Sequence, residues 1–149
     1  MAAESTNAEL LAVLRRHWGY ASFLPLQERI VASLMAGRDT CVIMPTGGGK
    51  SLCYQLPAAM QAGRTVVVIS PLIALMQDQV AQLEQMGLPA AALNSSLADA
   101  DRGRIMREAT RGAYRLLYLS PERLAREDTV RWLRNVPVAL FAIDEAHCI

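Results

Sequence analysis

The chain has 149 residues, 52% of them hydrophobic, and a formal charge of +1 at pH 7. It is long enough to bury one core and too apolar for a disordered segment. No apolar run approaches the roughly 18 residues that span a bilayer, and the start, Met1 to Leu10, lacks the charged-then-apolar order of a secretory signal, so a soluble intracellular protein with no membrane partner is expected.

Taken in chain order, residues 1–7 are polar and alanine-rich and read as a loose tail. Helical periodicity follows over Glu9 to Trp18 and Leu26 to Ala36, then a short apolar run, Cys41 to Met44, with the look of a buried strand. Further helices are expected over Lys50 to Met60, Ile73 to Met86 and Ala98 to Arg111. Further strands are expected over Thr65 to Ile69, Ala90 to Leu93, Arg115 to Leu119 and Val138 to Ile143. Gly37, Gly63, Gly87 and Gly112 each follow a helical stretch, where a left-handed residue ends a helix. The alternation predicts one α/β domain over 1–149, a parallel sheet flanked by helices. In such sheets ligands lie at the carboxyl ends of the strands, so the residues after Met44, Ile69, Leu119 and Ile143 are the ones to inspect.

Cys41, Cys53 and Cys148 are odd in number, lack CxxC spacing and sit beside apolar residues, which reads as buried small hydrophobes rather than disulfides or zinc ligands. Between Arg102 and Arg134 nine arginines face four acids. Judged alone, that excess is a solvated helix face before it is a phosphate-binding patch.

Met44-Pro45-Thr46-Gly47-Gly48-Gly49-Lys50-Ser51 follows an expected strand and opens an expected helix, the context of a Walker A phosphate loop. Glycines let backbone N–H groups wrap phosphate oxygens, the helix N-terminus adds its positive end, Lys50 reaches the β and γ phosphates of ATP, and the Ser51 hydroxyl ligates Mg2+. The strict pattern has glycine where this chain has Met44. Lys50 is the only lysine, all fourteen other basic residues being arginine; a compact ammonium suits phosphates where a planar fork does not. At the other end, Val138 to Ile143 runs into Asp144-Glu145-Ala146-His147. Two adjacent carboxylates at a buried strand end fit a cation site, Asp144 holding magnesium directly or through water and Glu145 orienting and deprotonating an attacking water.

Together, TGGGKS at Thr46 to Ser51 and DEAHC at Asp144 to Cys148 resemble the RecQ family of superfamily-two DNA helicases. Trp18-Gly19-Tyr20 with Phe23-Leu24-Pro25-Leu26-Gln27 resembles that family's adenine-reading segment, and Ser70 to Val80 its motif Ia. Leu93-Asn94-Ser95-Ser96 resembles a neighbouring signature, and Tyr118 to Leu124 motif Ib. The resemblance runs from about Trp18 to the last residue. It implies a RecA-like P-loop NTPase domain, truncated after the Walker B strand, in a motor coupling ATP hydrolysis to 3′-5′ translocation on single-stranded DNA and unwinding of partly duplex DNA, with a role in repair and recombination. It implies a cytoplasmic, nucleoid-associated bacterial protein. Gln27 would hydrogen-bond the adenine edge and Tyr20 stack near its ring. Ser70, Pro71, Ser120 and Arg123 would contact one DNA strand's backbone, a role with which ordinary Ser-Pro turns capping helices are physically compatible, while for Ser95 and Ser96 the structural and functional readings stand level. Where the family often has an arginine covering the adenine this chain has Leu24, which implies weaker adenine selectivity.

A P-loop phosphotransferase or transport ATPase would share both nucleotide motifs, but it leaves the Gln27 segment and the two Ser-Pro strand ends unexplained. By the same resemblance, a strand carrying motif III, a second RecA-like domain with its arginine finger and any zinc-binding domain would follow Ile149. The motif III strand would insert between the two nucleotide-motif strands. Residues 1–149 alone are therefore expected neither to unwind DNA nor to hydrolyse ATP appreciably, since the finger alone is worth about 10³ to 10⁵ in turnover in related chemistry. ATP turnover by the purified chain, with and without single-stranded DNA and alongside a thermal melt, checks this; a cooperative melt with DNA-stimulated hydrolysis refutes it.

Overall fold

The computed structural model describes residues 7–45 and 49–146, in two compact units, Met1–Met60 and Gln61–Ile149. Of the tail expected over residues 1–7, only Asn7 lies within the described residues, and it is helical.

In the first unit, α1 (Asn7–Trp18), α2 (Gln27–Met35) and α3 (Lys50–Met60) pack through Leu10 and Leu14 of α1, Val31 of α2, and Leu52 and Leu56 of α3. Leu10 and Leu14 are one turn apart and so share the inward face. α1 carries Glu9 in its first turn and Arg15, Arg16 and His17 in its last, charges that complement the helix dipole. α3 is buried without interruption from Leu52 to Ala58, which explains its apolar composition on every side. Burial pushes the Cys53 thiol up to about 11, keeping it protonated and inert.

The second unit runs β1 (Thr65–Ile69), α4 (Ile73–Gln85), β2 (Ala90–Leu93), α5 (Asp99–Thr110), β3 (Leu116–Leu119), α6 (Pro121–Leu124), α7 (Glu127–Leu133) and β4 (Val138–Ile143). Its four strands are all parallel, in the order β2-β3-β1-β4. β1 and β3 are buried at every position, as central strands covered on both faces must be, so their sequences are continuous rather than alternating. β4 lies at an edge of the sheet, with Phe141 and Ile143 half exposed. Val67, Ile69, Leu93, Leu117 and Leu119 from the strands meet Ile105 and Ala109 of α5 and Leu133 of α7 in the unit's core. α4 and α5 end in the same way: Gly87 at φ 81 and Gly112 at φ 73 follow them, and the next residues, Leu88 and Ala113, donate back to Leu83 and Glu108 carbonyls. Those bonds satisfy carbonyls the helix end would leave unpaired.

Two expectations are corrected. Cys41 to Met44 is not a strand, and Ile43 there is 92% exposed. A short apolar run becomes a strand only when a neighbour supplies ladder bonds, and among the described residues no strand pairs with it. Cys41 is accordingly exposed rather than buried; Cys148 lies outside the described residues. The structure also adds α6 and α7, which charge-rich short sequence had concealed; α7 is anchored where the Trp132 indole N–H donates to the Met106 carbonyl of α5 at 3.0 Å. Among the described residues no helix is long and apolar enough to cross a membrane.

Tyr114 lies in the core beneath α5, its hydroxyl donating to the Glu108 carboxylate and its carbonyl accepting from Thr65 Oγ1 at 2.6 Å. Burial, then the Glu108 hydrogen bond, pushes the phenol up to about 12. A raised phenol pKa contributes stability fully present below the unfolded value near 10 and lost as pH climbs towards 12. Tyr114→Phe is expected to lower stability by about 1 kcal/mol at neutral pH and to remove this residue's share of the decline between pH 10 and 12. Urea denaturation across that range measures both.

Candidate functional site

In the first unit the segment between α1 and α2 bears Tyr20, 58% exposed, and Leu24, 50% exposed. Leu26, the N-cap residue of α2, sits at φ 73, a left-handed conformation that costs a branched side chain about 1–2 kcal/mol. Strain of this kind collects where the surroundings hold a segment for a purpose. Here it accompanies a bond from the Leu24 N–H to Gln27 Oε1 at 2.8 Å. Gln27 opens α2 and is only 3% exposed. Its Nε2 donates to the Gly49 carbonyl at 3.1 Å, 22 residues away. Gly49 has φ +75, and a β-carbon there would collide with that same Nε2 and stand 3.3 Å from Leu24 Cδ1. Glycine is thus required both by conformation and by close approach.

Lys50 and Ser51 are the first residues of α3 and half buried, so their side chains stand at a helix N-terminus with its outward N–H groups. Met44 is half buried and Pro45 exposed, while Thr46, Gly47 and Gly48 lie outside the described residues. Beside Leu24 an open groove of about 580 Å³, with Leu11, Phe23 and Leu26 among its lining, gives the segment a largely apolar wall.

In the second unit the strand ends are level: Leu93 pairs with Leu119, Leu119 with Ile69, and Ile69 with Ile143. The next residues, Asn94, Ser120, Ser70 and Asp144, therefore line one edge in that order, spanning about 15 Å at the usual strand spacing. Three of the four are buried and already engaged. Asn94 Oδ1 accepts from the Ser96 N–H at 2.9 Å and from the Ser96 hydroxyl. Ser120 Oγ accepts from the Arg123 N–H at 3.3 Å as the N-cap of α6, and Ser70 Oγ accepts from the Leu72 N–H, also at 3.3 Å. Pro121 at the first position of α6 has the fixed φ that position favours. Pro71 is half buried. Arg123 is buried, with Nη2 3.8 Å from Met106 Sδ, and among the described residues its Nε has no hydrogen-bond partner. Desolvation, then the nearby Arg102 and Arg126 charges, lowers its pKa from the ordinary guanidinium value.

At the end of β4 the Asp144 N–H donates to the Ile69 carbonyl at 2.9 Å, continuing the ladder, and Asp144 Oδ1 accepts from the Glu145 N–H at 3.0 Å. Glu145 has φ 54, a second left-handed non-glycine residue, and it turns the chain away from the strand line. Both acids are half buried; His147 lies outside the described residues. Neither left-handed position, nor the bridge from Gln27 to Gly49, has a signal in a single sequence, because each is set by tertiary context. The Ser51 hydroxyl in the first unit and the Asp144 carboxylate in the second are each hard oxygen donors. The glycine close approach and the helix N-terminus at Lys50 suit an anionic phosphate.

The DEAD/DEAH box helicase family model matches residues 24–149. The probable ATP-dependent DNA helicase RecS of Bacillus subtilis is 47% identical over 142 residues, 95% of this chain and 28% of the relative. The ATP-dependent DNA helicase RecQ of a Synechocystis species is 48% identical over 138 residues, 91% of this chain and 29% of the relative. The crystal structure of the DUF1998 helicase MrfA bound to DNA and AMPPNP superposes with a TM-score of 0.75 at 23% identity, covering 97% of this chain and 22% of that one, a likeness of fold. The chain spans less than a third of the length of the curated relatives it matches.

The Ser120 hydroxyl has a structural duty that can be measured by itself. Ser120→Ala is expected to lower stability by about 1 kcal/mol through loss of the cap, read by chemical denaturation; unchanged stability would show that the hydroxyl does not cap α6.

Proposed function

The chain belongs to the DEAD/DEAH box helicase family, and on that premise we propose that it is the nucleotide-binding part of a RecQ-type ATP-dependent DNA helicase, which moves 3′-5′ on single-stranded DNA, opens partly duplex DNA and serves repair and recombination. The observation that carries this reading is the start of α3, where Gly49 at φ +75 leads directly into Lys50 and Ser51.

The amides of the loop from Met44 through Gly49 receive phosphate oxygens, and Lys50 draws negative charge from the terminal phosphate as the bond to it breaks. Ser51 and Asp144 are the oxygen donors for magnesium, which when bound neutralises charge on the phosphates. Glu145 orients the attacking water and takes its proton. Gln27 has one N–H and one carbonyl lone pair beyond its bonds to Gly49 and Leu24, a donor and an acceptor matched to the adenine edge, with Tyr20 against the ring. Ser70, Pro71, Ser120 and Arg123 belong to turns along the strand that the motor tracks; with their hydroxyls engaged in caps, Ser70 and Ser120 serve by holding backbone amides towards phosphates. The second RecA-like domain of the full chain supplies the arginine that completes turnover.

Three substitutions in the full protein separate these roles. Lys50→Ala is expected to lower DNA-stimulated ATP turnover by a factor on the order of 10² or more, as loss of a charge-assisted contact to the transition state does. Glu145→Gln is expected to abolish turnover while leaving ATP affinity within a few fold, since the amide keeps the shape but cannot accept a proton. Asp144→Asn is expected to lose magnesium-dependent binding as well. Steady-state ATPase rates with equilibrium nucleotide binding decide; parent-like turnover in Lys50→Ala removes the phosphate-loop assignment.

A further inference from the structure

We infer that the second unit carries a further nucleic-acid surface, an arginine face at the end of the sheet where the strands begin, which holds the backbone of duplex DNA; this rests on the reading above of a motor that opens partly duplex DNA. The face lies at the opposite end of the sheet from Asn94, Ser120, Ser70 and Asp144, which follow the strand ends. Helices that join parallel strands run back against them, so the last turns of α5 and α7 come to the starts of β3 and β4. Those last turns carry Arg107 and Arg131, and the C-cap residues are Arg111 and Arg134. Arg64 immediately precedes β1. All are exposed.

Packing gathers these residues in one place. Gly112, next to Arg111, lies against Gly63, next to Arg64: a β-carbon on Gly112 would stand 3.1 Å from the Gly63 carbonyl and 3.5 Å from Pro137 Cγ. The segments entering β1, β3 and β4 therefore meet at that glycine. Arg64 is tied to the same place, its Nη2 donating to the Val138 carbonyl at 2.9 Å. α5 and α7 share one face of the sheet, where Ile105, Ala109 and Leu133 enter a common core, and the Trp132 indole bonds one helix to the other. Packed helices stand about 8–10 Å apart, so the arginine pairs at their ends are neighbours.

Charge pairing divides the arginines of this unit. Arg102 pairs with Asp99, Arg104 with Asp101 and Arg126 with Asp128, acids from the first turns of α5 and α7. Among the described residues no ion pair engages Arg64, Arg107, Arg111, Arg131 or Arg134. Glu108, the acid between Arg107 and Arg111, is taken by Arg104 and the Tyr114 hydroxyl, and Glu84 in the last turn of α4 reaches the same end of the sheet. A helix C-terminus attracts cations, which accounts for arginines on α5 and α7 but not for Arg64, which belongs to no helix. Crowded, unpaired guanidinia are stabilised by an anion, and their planar forks match phosphate oxygens. A protein partner would need apolar or aromatic anchors, and Val130 is the one large hydrophobic residue exposed on α5 or α7. The charges stand on two neighbouring helices rather than in single file, a separation comparable to the roughly 6 Å and 12 Å groove widths between the two backbones of a duplex.

The test uses the full protein without nucleotide and a blunt-ended duplex oligonucleotide, with affinity read by fluorescence anisotropy over a salt series. In a variant combining Arg107→Gln, Arg111→Gln, Arg131→Gln and Arg134→Gln, duplex affinity is expected to fall on the order of 10-fold, and the slope of log K against log salt to shrink by about 1 for each phosphate contact removed. Lysine at the same positions keeps the charge and is expected to restore the slope, which a packing role would not do. ATP turnover at saturating single-stranded DNA is expected to match the parent's; its absence from the parent itself would count against the motor reading and leave the duplex measurement standing. Parent-like duplex affinity and slope in the glutamine variant overturn the inference. An equal loss of affinity for a single strand does so too, since it marks a diffuse field rather than a duplex surface. Polyglutamate binding that disappears in the variant while duplex binding stays marks an acidic protein partner instead. Should the combined variant fail to show a cooperative melt, the α5 pair and the α7 pair are changed separately, and an unaltered slope in both is equally fatal.

Discussion

Level strand ends in the second unit are the constraint on which its chemistry depends. Because β2, β3, β1 and β4 stop together, the four polar residues that follow them stand side by side along one edge. A slip of one residue in any pairing would turn a polar terminal residue to the opposite face and bury an aliphatic one in its place. The buried aliphatic faces of β1 and β3 guard against that slip, since every position there is already committed to the core. Packing thus fixes register, register fixes the edge, and the edge decides which side chains stand near one another.

Polar groups at that edge show how structure and chemistry share atoms. Asn94, Ser70 and Ser120 are each buried to about 95% and each accepts from a backbone N–H two or three residues onward. These bonds shape the chain as it leaves the sheet and prevent buried hydroxyl and amide groups from lacking partners.

Much of the fold is legible in the residues. Four of the five strands that the apolar runs imply are present among the described residues, and α3 spans Lys50 to Met60 as its periodicity indicates. Gly37, Gly63, Gly87 and Gly112 all take positive φ, because helix termination by glycine is a local matter. Cys41 to Met44 fails as a strand for the opposite reason: apolar content measures the wish to be buried, whereas a ladder needs a partner. α7 was hidden by Glu127, Asp128 and Arg131, three charges in seven residues. Around the site, the phosphate-loop and acidic motifs are written locally, but the Gln27 to Gly49 bond joins residues 22 apart, and the strain at Leu26 and Glu145 depends on what surrounds them. Arg123 carries a similar lesson. Its type suggests a surface contact, and its burial against Met106 follows only from how α5 and α6 meet.

Arg123 also has a consequence for solution behaviour. An arginine cannot escape burial by releasing its proton as a lysine can, so its charge stays beside those of Arg102 and Arg126, of which Arg126 reaches solvent. Repulsion among the three, one on α5 and two after β3, is offset by Asp99, 2.8 Å from Arg102, and Asp128, 3.2 Å from Arg126. Dissolved salt shortens the reach of such repulsion, to about 10 Å at 0.1 M and 3 Å at 1 M, and small anions collect where cations crowd. Salt therefore weakens the repulsion and the Arg102–Asp99 and Arg126–Asp128 pairs together, so this part of the molecule responds little to ionic strength.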